Sequence, residues 1–121
     1  MKIFVAHSSN FDFREKLYEP LRESALNNEH EIFLPQEADD DYVTLEFIKS
    51  CEIVVVDVSM SSTGAGIEMG WANASGVPIL SIYEEGSMPS ESAEYVSDEY
   101  VEYADSEDMI QKITDFVAAH S

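Results

Sequence analysis

The chain has 121 residues, 45% hydrophobic and 11% aromatic, which is enough for one domain with its own core and argues against disorder. Twenty-five Asp and Glu against six Lys and Arg give a net charge of −19, so the surface repels a nucleic-acid backbone and a polymer substrate is not expected. A small anionic ligand is compatible with that charge only where backbone N–H groups and a helix N-terminus supply local positive potential.

No apolar run approaches the roughly 20 residues of a membrane span. The chain opens directly on an apolar strand, without the pattern of a signal peptide. Together with the lone Cys51, which has no intrachain partner, this predicts a cytoplasmic protein without membrane contact. Cys51 is expected to pack beside the central strand.

Lys2 to Ala6 reads as the first strand, followed by the polar loop His7-Ser8-Ser9-Asn10. From Phe11 to Asn27, Phe13, Leu17, Leu21 and Ala25 recur at helical spacing, with Pro20 as a predicted kink. Ile32–Leu34 is a brief second strand closed by Pro35, and Gln36 to Asp41 is an acidic loop. Tyr42 to Ser50 then presents Val43, Phe47 and Ile48 on one helical face.

The next stretch organises the rest. Ile53-Val54-Val55-Val56 is a β-branched run of the kind buried on both faces of a parallel sheet, and Asp57 ends it. A Ser- and Gly-rich loop is expected from Ser59 to Gly66, then a helix to about Ser75, with Glu68 in its first turn. Gly76-Val77-Pro78 breaks that helix before a strand from Ile79 to Tyr83. Glu84 to Glu99 is polar and turn-rich and reads as the mobile segment. Tyr100 to Tyr103 is expected as an edge strand, and Ser106-Glu107-Asp108 as the cap of a last helix striped with Met109, Ile113, Phe116 and Val117.

Strands alternating with helices imply parallel pairing and right-handed crossovers. The predicted fold is therefore α/β: a single domain, residues 1–121, built on a doubly wound five-stranded parallel sheet of order 2-1-3-4-5. It is flavodoxin- or Rossmann-like, with helices on both faces. Such sheets place ligands at the carboxyl ends of their strands, where the Ser/Gly loop would lie.

Several familiar sites are excluded. Gly64-x-Gly66-x-x-x-Gly70 is one residue too long for the dinucleotide fingerprint, and no Lys follows the glycines as a P-loop requires. His7, His30 and His120 lack metal-ligand spacing, and there is no G-x-S-x-G elbow. Neither a metal nor an organic cofactor is expected.

What remains is Glu68. A carboxylate near a helix N-terminus is held ionised and can attack an electrophilic carbon, as in retaining glycosidases. The same residue also suits a first-turn Glu that only complements the helix dipole. Asp57 either faces a ligand or binds loop N–H groups. Ser59, Ser61, Ser62 and Thr63 either line a phosphate or sugar site or cap backbone groups. His7 is either an acid/base or a structural loop residue. Tyr18 and Trp71 fit a core better than a stacking platform.

The segment LEFIKSCEIVVVDVSMSSTGAGIEMGWANASGVPILSIY, Leu45 to Tyr83, resembles the nucleoside 2-deoxyribosyltransferase superfamily, which includes the 2'-deoxynucleoside 5'-monophosphate N-glycosidases. The match is strand, S-x-G-x-G loop, E-x-G-x-A helix and G-x-P-I-L strand, and it extends more faintly over most of the chain. The resemblance implies cleavage of an N-glycosidic bond or deoxyribosyl transfer, on a nucleoside or nucleotide. Glu68 stands at the position of the nucleophile that attacks C1'. Ser62 stands where the monophosphate hydrolases bind phosphate and the transferases carry an Asp, which favours a 5'-monophosphate. Gly64 and Gly66 match the glycines that admit the ligand to the backbone.

Two positions depart from the family pattern. Thr44 stands where the hydrolases carry an Asp; Asp41, one helical turn earlier, is the candidate substitute. Ala6-His7-Ser8-Ser9 replaces the usual Gly-Ser-x first loop, leaving His7 and Ser8 as the substrate-facing candidates there. The alternative reading is a nucleotide-binding module of the same fold with weak or no turnover. The phrase IFVAHSSNFD also resembles the first strand and loop of TIR domains, to which the Glu68 motif does not belong. The family further implies a homodimer, for which Phe11, Phe13 and Tyr42 are the expected exposed aromatics.

Overall fold

A computed structural model describes residues 1–37 and 43–121. Among these, five strands form one parallel sheet of order β2-β1-β3-β4-β5: β1 Lys2–Ala6, β2 Glu31–Phe33, β3 Ile53–Asp57, β4 Ile79–Glu84 and β5 Glu99–Tyr103. Every residue of β3 is buried, as its unbroken β-branched run requires of a central strand with both faces covered.

Alternate residues of the strands feed two cores, because successive side chains point to opposite faces. Ile3, Val5, Ile53, Val55, Leu80 and Ile82 face one way, against Leu17, Leu21, Leu26 and the last helix. Phe4, Ala6, Val54, Val56 and Ile79 face the other, against α3 (Leu45–Lys49) and α4 (Thr63–Ala74). The doubly wound arrangement thus follows from the strand pattern.

The first helical region is not one kinked helix. A π-helical turn over Arg14–Tyr18 leads into α1 (Glu19–Glu23), Ser24 adopts an extended conformation, and α2 covers Leu26–Glu29. Pro20 lacks an N–H and its ring crowds the carbonyl four residues back, so the hydrogen-bond register widens just before it: Glu19 N–H bonds Arg14 O. The break at Ser24 shifts the helical phase, so Leu26 is buried where Ala25 was expected, and Ala25 is exposed. Phe11 and Phe13 are buried too, not exposed as an intersubunit role would require. Tyr42 lies outside the described residues.

β2 begins one residue earlier than predicted and leaves Leu34 outside it, though still buried. Glu84 to Glu99 contains a 3-10 helix, Glu91–Val96, that buries Ala93 on the α4 side of the sheet. The last helix, α5 (Ser106–Ala119), is capped by Asp105, whose Oδ1 accepts from Asp108 N–H at 2.8 Å. Cys51 is buried as expected, with its thiol pushed up to about 11 by burial.

Among the described residues no helix is long and apolar enough to cross a membrane. None of their His, Cys, Asp and Glu side chains cluster in a group of three or more able to hold a metal ion.

Candidate active site

The loop after β3 is shorter than its Ser and Gly content predicts. Ser62 is the N-cap of α4, and its Oγ accepts from Ala65 N–H at 3.2 Å. The helix therefore begins at Thr63 and takes Gly64 and Gly66 into its first turn. A glycine costs a helix about 1 kcal/mol relative to alanine. Here a cap worth about as much, and the burial of Ala65, Met69 and Ala72 against the sheet, outweigh it. Glu68 consequently sits in the second turn, not the first, and is half-buried. The N-terminal dipole reaches it more weakly than the sequence implies.

Asp57, at the end of β3, is 2% exposed. Its Oδ1 accepts from Ser59 N–H at 2.9 Å and its Oδ2 from the Tyr103 hydroxyl at 2.6 Å. Burial raises its pKa, against the pull of those donors and of nearby His7. Burial likewise raises that of Tyr103, reinforced by the carboxylate beside it. Ser59 Oγ accepts from Glu84 N–H at 2.8 Å, pinning the loop to the end of β4. Tyr103 carries no sequence signal for this role; its partner is 46 residues away.

His7 is buried and stacks on Phe13, with ring centroids 4.4 Å apart. Its Nδ1 lies 2.9 Å from Ser8 O and its Nε2 2.7 Å from the Tyr18 hydroxyl. A carbonyl only accepts, so Nδ1 carries the proton and Nε2 accepts from Tyr18. Tyr18 in turn accepts from Gln36 N–H at 2.9 Å. Desolvation lowers the His7 pKa and holds the ring neutral. Both nitrogens are committed to the protein. Ser8, also buried, accepts through Oγ from Asn10 N–H and closes the loop.

Thr44 lies at the N-cap of α3, where its Oγ1 accepts from Phe47 N–H at 3.1 Å. Its hydroxyl has a structural job there. Asp41 lies outside the described residues.

A cavity of about 340 Å³ opens at the carboxyl end of β3. Val56, Asp57 and Val58 form its floor, and Ala65, Gly66, Met69 and Gly70 of α4 form one wall. Ser90, Ser92, Ala93 and Val96, from the 3-10 helix and its approach, form the other, which sequence reading missed. Ser61 and Ser62 stand between the walls. Glu68, His7, Ser8, Thr44 and Gly64 do not line it. At about 100° per residue, Glu68 projects about 160° away from both Gly66 and Gly70. The carboxylate and the cavity thus lie on opposite sides of α4, with Ser62 at the helix end between them.

No family model matches the chain, and no curated protein matches it. Solved structures do. The chain is similar to a CMP N-glycosidase of Clostridium botulinum, with TM-score 0.67 and 19% identity over 94% of this chain and 99% of that one. It is similar to a conserved protein of Enterococcus faecalis, with TM-score 0.70 and 16% identity over 95% and 98%. A 2-deoxyribosyltransferase of Bacillus psychrosaccharolyticus gives TM-score 0.64 and 22% identity over 90% of both chains. The fold is shared with all three. Their sheets and crossovers are matched over nearly their whole length, so the edge carrying Ser62 and Glu68 belongs to the common architecture.

Proposed function

We propose that the protein cleaves, or transfers a deoxyribosyl group across, the N-glycosidic bond of a nucleoside or nucleotide, with Glu68 as nucleophile. The reading is carried by the fold shared, over at least 90% of the chain, with a CMP N-glycosidase and a 2-deoxyribosyltransferase. The E-x-G-x-A pattern on α4 supports the choice of Glu68.

A Glu68 carboxylate oxygen attacks C1' of the sugar as the C1'–N bond breaks, and the base leaves with the bonding electrons and takes up a proton from solvent. The transition state is oxocarbenium-like and the product is a glycosyl ester of Glu68. Water then attacks C1', its proton passes to solvent, and the carboxylate is released with net retention; a second base in place of water gives transfer. Glu68 is about 9 Å along the helix from Ser62, and its side chain leans back toward the N-terminus, so one sugar with its 5' substituent bridges the two. Ser62 keeps its hydroxyl proton to donate to a 5'-phosphate while its lone pair caps the helix. The N–H groups of Thr63 and Gly64, which have no intrahelical acceptor, supplement it. This favours 5'-monophosphates. A homodimer is part of the same proposal.

The test is release of free base from a panel of nucleosides and 5'-monophosphates. Glu68→Ala should abolish release with unchanged circular dichroism; retention of more than about a tenth of the rate would sink the assignment, since covalent catalysis supplies orders of magnitude. One observation favours a binding module without turnover: the Thr44 hydroxyl, at the position where the resemblance places an Asp, is committed to capping α3. Nucleotide binding without base release would establish that reading.

A further inference from the structure

We propose that the cavity between α4 and the 3-10 helix is a second ligand site, separate from the crevice holding Glu68, and that it takes a small uncharged planar heterocycle. The separation is topological. In a sheet of order 2-1-3-4-5 the crevice opens between β1 and β3. This cavity lies instead beneath the far side of α4 from Glu68, closed by a segment that follows β4.

The chemistry of the walls selects the ligand. The volume of about 340 Å³ falls at the small end of ligand pockets. Its depths are apolar, with Met69, Ala93 and Val96 facing one another across the space. No lysine or arginine is among the lining residues, and the one carboxylate, Asp57, already holds a hydrogen bond on each oxygen. An anion finds no counter-charge inside, and a cation finds only a saturated acid.

Hydroxyls mark the other wall and the mouth. Ser90 and Ser92 share a 2.8 Å hydrogen bond, which leaves one proton and spare lone pairs for a ligand edge that both donates and accepts. Opposite them, Gly66 and Gly70 lie one helical turn apart. A Cβ built on either meets no heavy atom within 4 Å, so nothing in the protein requires these positions to be bare. Two unclothed turns make a flat strip of helix, and a flat ring is what lies closely against it.

Adenine is the probe. Titrated into nitrogen-labelled protein, it should give saturable shifts of the Gly66, Gly70, Ala93 and Val96 amides and leave those of His7 and Ser8 in place. Gly70→Leu should weaken this binding by about tenfold or more while the remaining spectrum stays native, and Gly70→Ala should weaken it less. Glu68→Ala should bind adenine as wild type does, so this site survives even if Glu68 proves not to be a nucleophile. Three results would overturn the proposal: no saturable shift at millimolar adenine, shifts centred on His7 and Ser8 that vanish in Glu68→Ala, or tighter binding of phosphate-bearing adenosine monophosphate at the same cavity amides.

Discussion

The hydroxyl of Tyr103, at the end of β5, donates a 2.6 Å hydrogen bond to the buried carboxylate of Asp57, at the end of β3. β4 lies between the two strands, so the bond spans the sheet edge and ties the loop after the central strand to the last strand. That loop carries Ser59 and Ser62, so the bond holds the ground on which the proposed phosphate contact stands.

Removing the donor should be costly. Tyr103→Phe leaves a buried carboxylate short of one partner, a loss of about 1–3 kcal/mol. The Asp57 pKa is already raised, so its contribution to stability is full at low pH and is lost as pH rises through the folded-state value. Losing the Tyr103 bond raises it further. Urea denaturation should therefore show a deficit in Tyr103→Phe that grows between pH 4 and neutrality; a deficit independent of pH would mean the bond does not act on the charged form.

The opposite sign holds at His7, whose folded-state pKa is lowered by burial. The unfolded chain takes a proton near pH 6.5 while the folded ring resists it, so this contribution is present above about 6.5 and is lost as pH falls through the folded-state value. The stability of wild type relative to His7→Gln should decline on acidification from pH 7 to 5. Parallel pH profiles for the two proteins would refute the neutral-ring assignment.

Ser62→Asp separates the helix cap from ligand choice. Asp caps a helix as well as Ser does, so thermal stability should hardly change. It only accepts hydrogen bonds and carries a charge that repels phosphate, so preference should move from the 5'-monophosphate toward the nucleoside. Wild type that releases base from a nucleoside as fast as from its monophosphate would show that Ser62 does not read the 5' end.

Gly66→Ala should trade function for stability. The added methyl meets open space, and alanine favours the helix by about 1 kcal/mol. The denaturation midpoint should rise while base release falls, because the methyl occupies ground reserved for the ligand. A variant more stable and equally active would leave the glycine without a role.

Much of the architecture was legible in the chain itself. The run Ile53–Val56, the apolar run Lys2–Ala6 and the stripe of α5 are local periodicities, and local periodicity decides which face of an element is buried. The strand order followed from alternating elements and the handedness of their crossovers. Glu68 and Ser62 were marked by a motif within one short segment.

The tertiary structure alone decided the rest. A Ser/Gly stretch reads as loop because glycine disfavours helix, yet Ser62 capping and the burial of Ala65 and Met69 carry α4 back to Thr63. Phe11 and Phe13 look available until the neighbouring ring of His7 and the first core claim them. Which side of α4 faces the crevice and which the cavity depends on a 3-10 helix more than 20 residues downstream, and Asp57 finds its partner 46 residues away. Periodicity acts over a few residues, whereas these contacts form only when distant segments are brought together, so their energies leave no pattern in any one stretch of sequence.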